Sequence, residues 1–515
     1  MKIFEYRQMK KAIIRILTLA LFGFGLNSCN NLDQTPLDKV VGETFYKTKT
    51  DFDGAVLAGY SSIQDFWGTS TETLSERGEF WVMSTVITDD VEADASRNPE
   101  NSSLNFDRLL VTSTDVAVAA IYSQIYEGIL RANIVIEEVQ NENELTDAEK
   151  KVFDAEAKFL RAFFHFQAMK IYGTPPLAIG VNKEIFNQAL PNATKDELFA
   201  SILSDFQAAA DNLPASRTGG ELGRATSWAA KAFIGKVNVW KKDWASAISS
   251  FEDVINNGPY ALEANYGDVF AYDNENNIES IFEIQYGGPY SDDNLWVFDD
   301  THSEAFKASQ GTGRTWYWDA ANGAPGGKLG WWVPSQDLVD AYEAGDIRLT
   351  ESIYQDGDTY YTTDGFAGVP YDPAWSSTGY TIKKYRGARN VVSENHAPNL
   401  QADFNNERWF RFAELKLLYA EALLESGRAA DATVQINDIR NRAGLADLSA
   451  TATIADLQQE KRVELAFEPH RWFDIVRWDI GSTVFTNWDS KLEVFPFPQA
   501  EIDRSGGILK QNTGY

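Results

Sequence analysis

Residues 155–177 read AEAKFLRAFFHFQAMKIYGTPPL, and with Phe153 just before them they decide the fold class. Phe153, Ala157, Leu160, Phe164, Ala168 and Ile171 recur at spacings of three and four, which places them on one face of a helix. Gly173 and Pro175 stop it. Upstream, Ile121, Ile125, Ile129, Ala132, Ile136 and Val139 repeat the same period, and the polar stretch NENELTD (141–147) joins the two segments as a helical hairpin. A second hairpin is expected from Thr226 to Trp240, turning at KKDW and resuming from Ala245 to Ile255 before NNGPY ends it. A third is expected from Arg408 to Glu425, turning at SGRAAD and continuing from Ala432 to Arg442. Small residues such as Ala229, Ala230, Ala245, Ala247, Ala420 and Ala422 stand where paired helices approach closely. The fold class read from this pattern is mostly α, a scaffold of tetratricopeptide-like hairpins.

Between residues 258 and 405 the character changes, with Gly, Asn, Asp, Tyr and Trp dominating. SIFEIQY (280–286) and GYTIKKY (379–385) read as short strands, and PSQDLVDAYEAGDIR (334–348) as the main helical exception. A loop-rich stretch of this length inside a helical protein is expected to be a functional surface. Six of the 15 tryptophans fall here: Trp296, Trp316, Trp318, Trp331, Trp332 and Trp375. In GTGRTWYWDAANGAPGG (311–327) an aromatic triplet is flanked by glycines, a setting with little local apolar cover. An exposed indole stacks on the C–H face of a sugar ring while polar neighbours bond its hydroxyls, so carbohydrate binding follows. The candidate platforms are Trp316, Tyr317 and Trp318, with Arg314, Asp319 and Asn322 as hydrogen-bonding neighbours. Trp296, Trp332 and Trp67 form a second rank, Trp67 because IQDFWGTSTE (63–72) follows an early helix with a polar, Gly-containing loop.

The chain has 515 residues, 46 basic and 75 acidic, for a formal net charge of −29. That balance disfavours nucleic acid and anionic surfaces as partners, and it leans the ligand toward neutral glucans. Cys29, the single cysteine, has no disulfide partner and ends a leader in which Lys10, Lys11 and Arg15 precede an apolar run from Ile16 to Leu26. That run is too short to span a bilayer. Residues 26–29, LNSC, read as a lipobox, so residues 1–28 would be a signal peptide and Cys29 the acylated first residue of the mature chain. Two or three acyl chains anchor stably, each buried methylene adding about 0.8 kcal/mol.

Signatures of catalysis are thin. His165, His302, His396 and His470 are too scattered for a metal motif, and neither G-x-S-x-G nor a phosphate-cradling loop followed by Lys occurs. The acids of DDVEAD (89–94) are spaced like the start of a calcium loop, but Ala95 stands where that loop needs Gly and Asn101 where it needs a bidentate Glu. No catalytic residue, metal or cofactor is therefore assigned.

The mature chain resembles the SusD/RagB family of surface nutrient-binding lipoproteins of Bacteroidetes, on motifs that follow one another along its whole length. They are LDQTPLDKVVGETFYKTKTDFDGAVLAGYSSI, GILRANIVIEEV, AEAKFLRAFFHFQAMKIYGTPPL, ATSWAAKAFIGKVNVWKKDWASAISSFEDVINNGPYAL and NNIESIFEIQY, then RFAELKLLYAEALLESGRAADATVQINDIRNRAGL, EKRVELAFEPHRWFDIVRW and FPFPQAEIDRSGGILKQNTGY. The resemblance implies four tetratricopeptide-like units carrying an irregular ligand-binding part. It also implies a non-catalytic role on the outer face of the outer membrane, where oligosaccharides are captured and passed to a SusC-like TonB-dependent transporter. The expected organisation is a signal peptide (1–28), a lipid-anchored tether (29–40), an N-terminal helical part (41–257), the loop-rich binding region (258–405) and C-terminal helices with the family's closing segment (406–515). Capture of peptides within the same family, or a surface glycoside hydrolase, are the alternatives. Arg462, Glu464, Glu468 and Arg471 are expected to pair with one another as a scaffold lock, since an isolated buried charge is costly; Arg161, Glu414 and Glu421 are read likewise as structural.

Overall fold

The computed structural model describes residues 45–64, 79–96, 103–181, 189–286, 317–320, 323–324, 329–360, 368–385 and 405–515. Among them, the helices of seven residues or more are α1 (Lys49–Gln64), α2 (Val116–Glu138), α3 (Asp147–Tyr172), α4 (Lys195–Asn212), α5 (Ser227–Lys241), α6 (Trp244–Asn257), α7 (Phe412–Glu425), α8 (Ala429–Arg442), α9 (Ile454–Glu464) and α10 (Arg471–Arg477). Each of α1 to α8 packs on the next in chain order, so the hairpins stack into a continuous helical scaffold, and α7 also rests on α9.

Local chemistry sets the helix limits. Thr146 accepts from the Glu149 backbone N–H while the Glu149 carboxylate accepts from the Thr146 backbone N–H, a capping box that starts α3. Gly173 closes the helix with φ at 74° and donates to Met169 O. A Cβ there would also meet Val494 Cγ1 at 2.7 Å, so conformation and packing both require glycine. A second box, Thr194 with Glu197, starts α4. At Gly128 an added Cβ would lie 2.2 Å from the Phe164 ring, which is how closely α2 and α3 approach.

One core runs from Phe52 to Leu509. At its centre Phe159 and Phe163 of α3, Phe206 of α4 and Phe233 of α5 pack with Phe282 and Phe410, ring centroids 5.2–6.0 Å apart. Each such ring contributes about 1.5–3 kcal/mol by leaving water.

Among the described residues the strands are short: β1 (Val91–Ala93), β2 (Ser280–Ile284), β3 (Trp332–Pro334), β4 (Ile353–Tyr354), β5 (Thr359–Tyr360), β6 (Val369–Pro370), β7 (Thr381–Ile382) and β8 (Glu407–Arg411). They form antiparallel pairs β1–β3, β2–β8, β4–β7 and β5–β6. SIFEIQY and GYTIKKY thus supply β2 and β7. Two expectations need correction. Residues 408–411 are strand and not the first turn of α7: all of β8 is buried, Trp409 stacking on Phe80 and Phe410 packing on Phe233, while Arg411 reaches an interior group of carboxylates. Residues 334–348 do not form one helix either. They begin Gln336–Ala341, turn at Gly345 with φ at 89°, and start a second short helix, Ile347–Ser352.

Candidate functional site

The loop-rich part is fastened to the scaffold by buried ion pairs. Arg411 of β8 contacts Glu279 at 2.7 Å, Glu464 of α9 at 2.5 Å and Glu468 at 2.8 Å. Arg348 pairs with Asp346, Glu460 and Glu464, Arg442 with Glu279 and Glu464, and Lys384 with Glu468 at 2.7 Å. Burial alone would raise the Glu464 carboxyl, but Arg442, Arg411 and Arg348 together hold it well below the usual carboxylate range. Burial lowers Lys384 to about 8 against the pull of Glu468.

The four charges expected to pair among themselves instead reach distant partners. Arg462 contacts Asp90 at 2.7 Å and Asp89 at 3.0 Å, and Arg471 contacts Asp89 at 2.7 Å. The correction has a physical reason: those two acids directly precede β1, and the guanidiniums fix the strand to α9 and α10. Asp89 and Asp90, the first acids of DDVEAD, are thereby occupied by arginine. Arg161 is held by Asp205, Glu414 by Lys236 and Glu421 by Arg477.

β1 and β3 form a small two-sided platform. On its inner face Trp332 stacks on Trp81 at 5.2 Å and on Tyr317 at 4.8 Å, Trp318 meets Trp81 edge-on at 4.9 Å, and Trp332 Nε1 donates to Ser103 Oγ at 3.1 Å. Tyr317, Trp318 and Trp332 are at most 3% exposed, and Asp319 is fully buried, accepting from Tyr360 Oη at 2.7 Å. These four candidates are therefore internal, and their assignment as ligand contacts is corrected: they build the wall behind the surface. Arg314, Trp316, Asn322, Trp296 and Trp67 lie outside the described residues, as does Cys29.

Trp331 directly precedes β3 and, unlike Trp332, is only partly buried where it packs against the core. Trp331 is half-buried and held from both sides, its N–H donating to Tyr317 O at 2.7 Å and its carbonyl accepting from Asp94 N at 2.7 Å. Its ring lies 5.4 Å from that of Tyr317. The facing segment carries Glu92 in β1, exposed, and just after it Asp94, buried, whose carboxylate accepts from Ser96 N at 2.9 Å and Ser96 Oγ at 2.5 Å. Behind them Asp107 accepts from Ala93 N at 3.2 Å; burial pushes its carboxyl up to about 6 although the Ala93 N–H pulls the other way. Beyond Asp319, Tyr354, Tyr360 and Tyr371 form a satellite cluster that supports a half-buried Trp375, edge-on to Tyr360 at 5.4 Å and to Tyr371 at 5.7 Å. An indole on a rigid backbone beside carboxylates can stack on an apolar ring face and accept hydroxyl hydrogens. Trp331 and Trp375 belong to the tryptophan-rich stretch, and nothing local in the sequence distinguishes them from Trp318.

Residues 278–487 match the family model described as the SusD family, and residues 63–239 match one described as starch-binding associating with outer membrane. A SusD-like protein of Bacteroides ovatus is 27% identical over 91% of this chain and 83% of its own length. The starch-binding protein SusD of Bacteroides thetaiotaomicron is 24% identical over 98% of this chain and 99% of its own. A solved laminarin-binding SusD-like protein superposes with a TM-score of 0.75 at 22% identity, covering 91% of this chain and all of that one. With two adjoining models spanning most of its length and the same helical architecture beneath them, the chain belongs to the SusD/RagB family.

Proposed function

We propose that this protein is a non-catalytic glycan-binding lipoprotein of the cell surface. It captures oligosaccharides on the face carrying Trp331 and delivers them to a SusC-like TonB-dependent transporter. The observation that carries the reading is the β1–β3 platform, whose inner aromatic wall and paired arginines fix the half-buried Trp331 beside Glu92 and Asp94. Relatives described as starch-binding and laminarin-binding support a glucan as the ligand, and the description of the matching family model supports an outer-membrane location. Cys29 supplies the lipid anchor and the segment that follows it the tether.

Affinity gel electrophoresis with laminarin, starch and xylan tests this. At least one glucan should retard the mature protein, and Trp331→Ala should weaken retardation about tenfold, the loss of one stacking contact of roughly 1.4 kcal/mol. No new reducing ends should appear on incubation. Retardation by none of the polymers, or release of reducing ends, would count against the proposal.

A further inference from the structure

We infer a second, preformed site for a short neutral oligosaccharide, resting on the glycan-binding reading above. A cavity of about 860 Å³ opens between α2, the segment after α3 and the C-terminal segment, and shares no residue with the β1–β3 face. That volume is in the range of small-ligand sites. One wall is irregular backbone held by side chains: Tyr126 Oη donates to Pro176 O at 2.7 Å, Asn133 Nδ2 to Ala178 O at 3.0 Å and Arg161 to Ile179 O at 3.4 Å. In return Ala178 N donates to His165 Nε2 at 3.2 Å. Asn133, Arg161 and His165 are buried, so the wall is part of the fold and needs no ligand to form it.

The lining is apolar at Leu130, Leu190 and Leu509 and aromatic at Tyr122 and Tyr126, whose ring centroids are 4.5 Å apart. Its rim carries Ser123, Glu127, Glu501 and Arg504. Both rim carboxylates already face a guanidinium, Glu127 that of Arg131 and Glu501 that of Arg504 at 2.7 Å. Acceptors and donors are thus present while the charge is compensated. An uncharged ligand with many hydroxyls and apolar C–H faces satisfies both halves of such a site, whereas a purely apolar ligand would desolvate the rim without pairing it.

Titration calorimetry of the full mature chain with laminaritriose, maltotriose and cellotriose tests the inference, with the laminarin, starch and xylan gels run beside it. Ser123 is exposed at the cavity, so Ser123→Trp obstructs it without disturbing the core. One trisaccharide should bind the parent and Trp331→Ala alike and lose about tenfold in affinity in Ser123→Trp, a change of 1.4 kcal/mol. Polysaccharide retardation should follow Trp331 and be insensitive to Ser123→Trp. Retained polysaccharide binding with no trisaccharide uptake, or uptake lost in Trp331→Ala and kept in Ser123→Trp, would overturn the second site alone. Absence of both would overturn the glycan reading with it, and saturation by N-acetyl-leucine amide in place of every sugar would reassign the cavity to peptide.

Discussion

His165 shows how a single side chain is fixed by its surroundings. Its Nε2 accepts from Ala178 N, so the proton sits on Nδ1, which donates to Arg161 O at 3.0 Å. Burial, reinforced by the neighbouring Arg161 charge, lowers its pKa from 6.5 to about 3. Because the folded value lies below the unfolded one, this stability is complete above pH 6.5 and is lost as pH falls toward 3. The melting temperature should decline across that window, and His165→Gln, less stable at pH 7, should show a shallower decline; equal slopes would refute the assignment. At this scale the sequence was a partial guide. It marked the loop-rich region as tryptophan-rich, yet chose Trp318 and Trp332, which Trp81 covers from more than two hundred residues away. Glycine content reports backbone freedom and says nothing about which distant ring will lie on top.

Elements were more legible where the signal was periodic. The hairpins α2–α3 and α5–α6 stand where the three-and-four spacing puts them, since one apolar stripe against one neighbour is a local pattern. The helix α4 was not singled out, although Thr194 and Glu197 form the capping box that announces it. β8 escapes a sequence reading because its charged residues Glu407, Arg408 and Arg411 are as buried as Trp409 and Phe410, so no alternation of polar and apolar residues marks an exposed face or sets it apart from α7. Its arginine also tests how the elements are joined. Arg411→Met would leave Glu279, Glu464 and Glu468 with one partner fewer in the interior, at a cost of about 3–5 kcal/mol. Chemical denaturation should report that loss, and a change under 1 kcal/mol would mean that Arg348, Arg442 and Lys384 suffice. The ionic pattern itself was readable only as a set of charges requiring partners, because those partners come from segments far apart in the chain.

For the molecule as a whole, the proposed anchor separates tethering from recognition. Cys29→Ala should move the protein from the membrane fraction to the soluble fraction while its sugar affinity in solution stays the same; lost affinity would show that the leader had been misread. The family was legible because many motifs recur in order, and most of them prove to be packing residues: Phe163, Arg411, Glu464 and Trp472 are all interior. The surface that meets a ligand has no such obligation to the core, which is why it was the least readable part. The ties from Asp89 and Asp90 to Arg462 and Arg471 have a kinetic side as well. They close a loop of more than 370 residues, and such long closures come late. A chain crossing a membrane N-terminus first could assemble its early hairpins on arrival, but it could not complete the β1–β3 face until Arg462 and Arg471 had followed. Competence to bind would then appear only once those two arginines had crossed, and an export intermediate stalled before them would hold no sugar there.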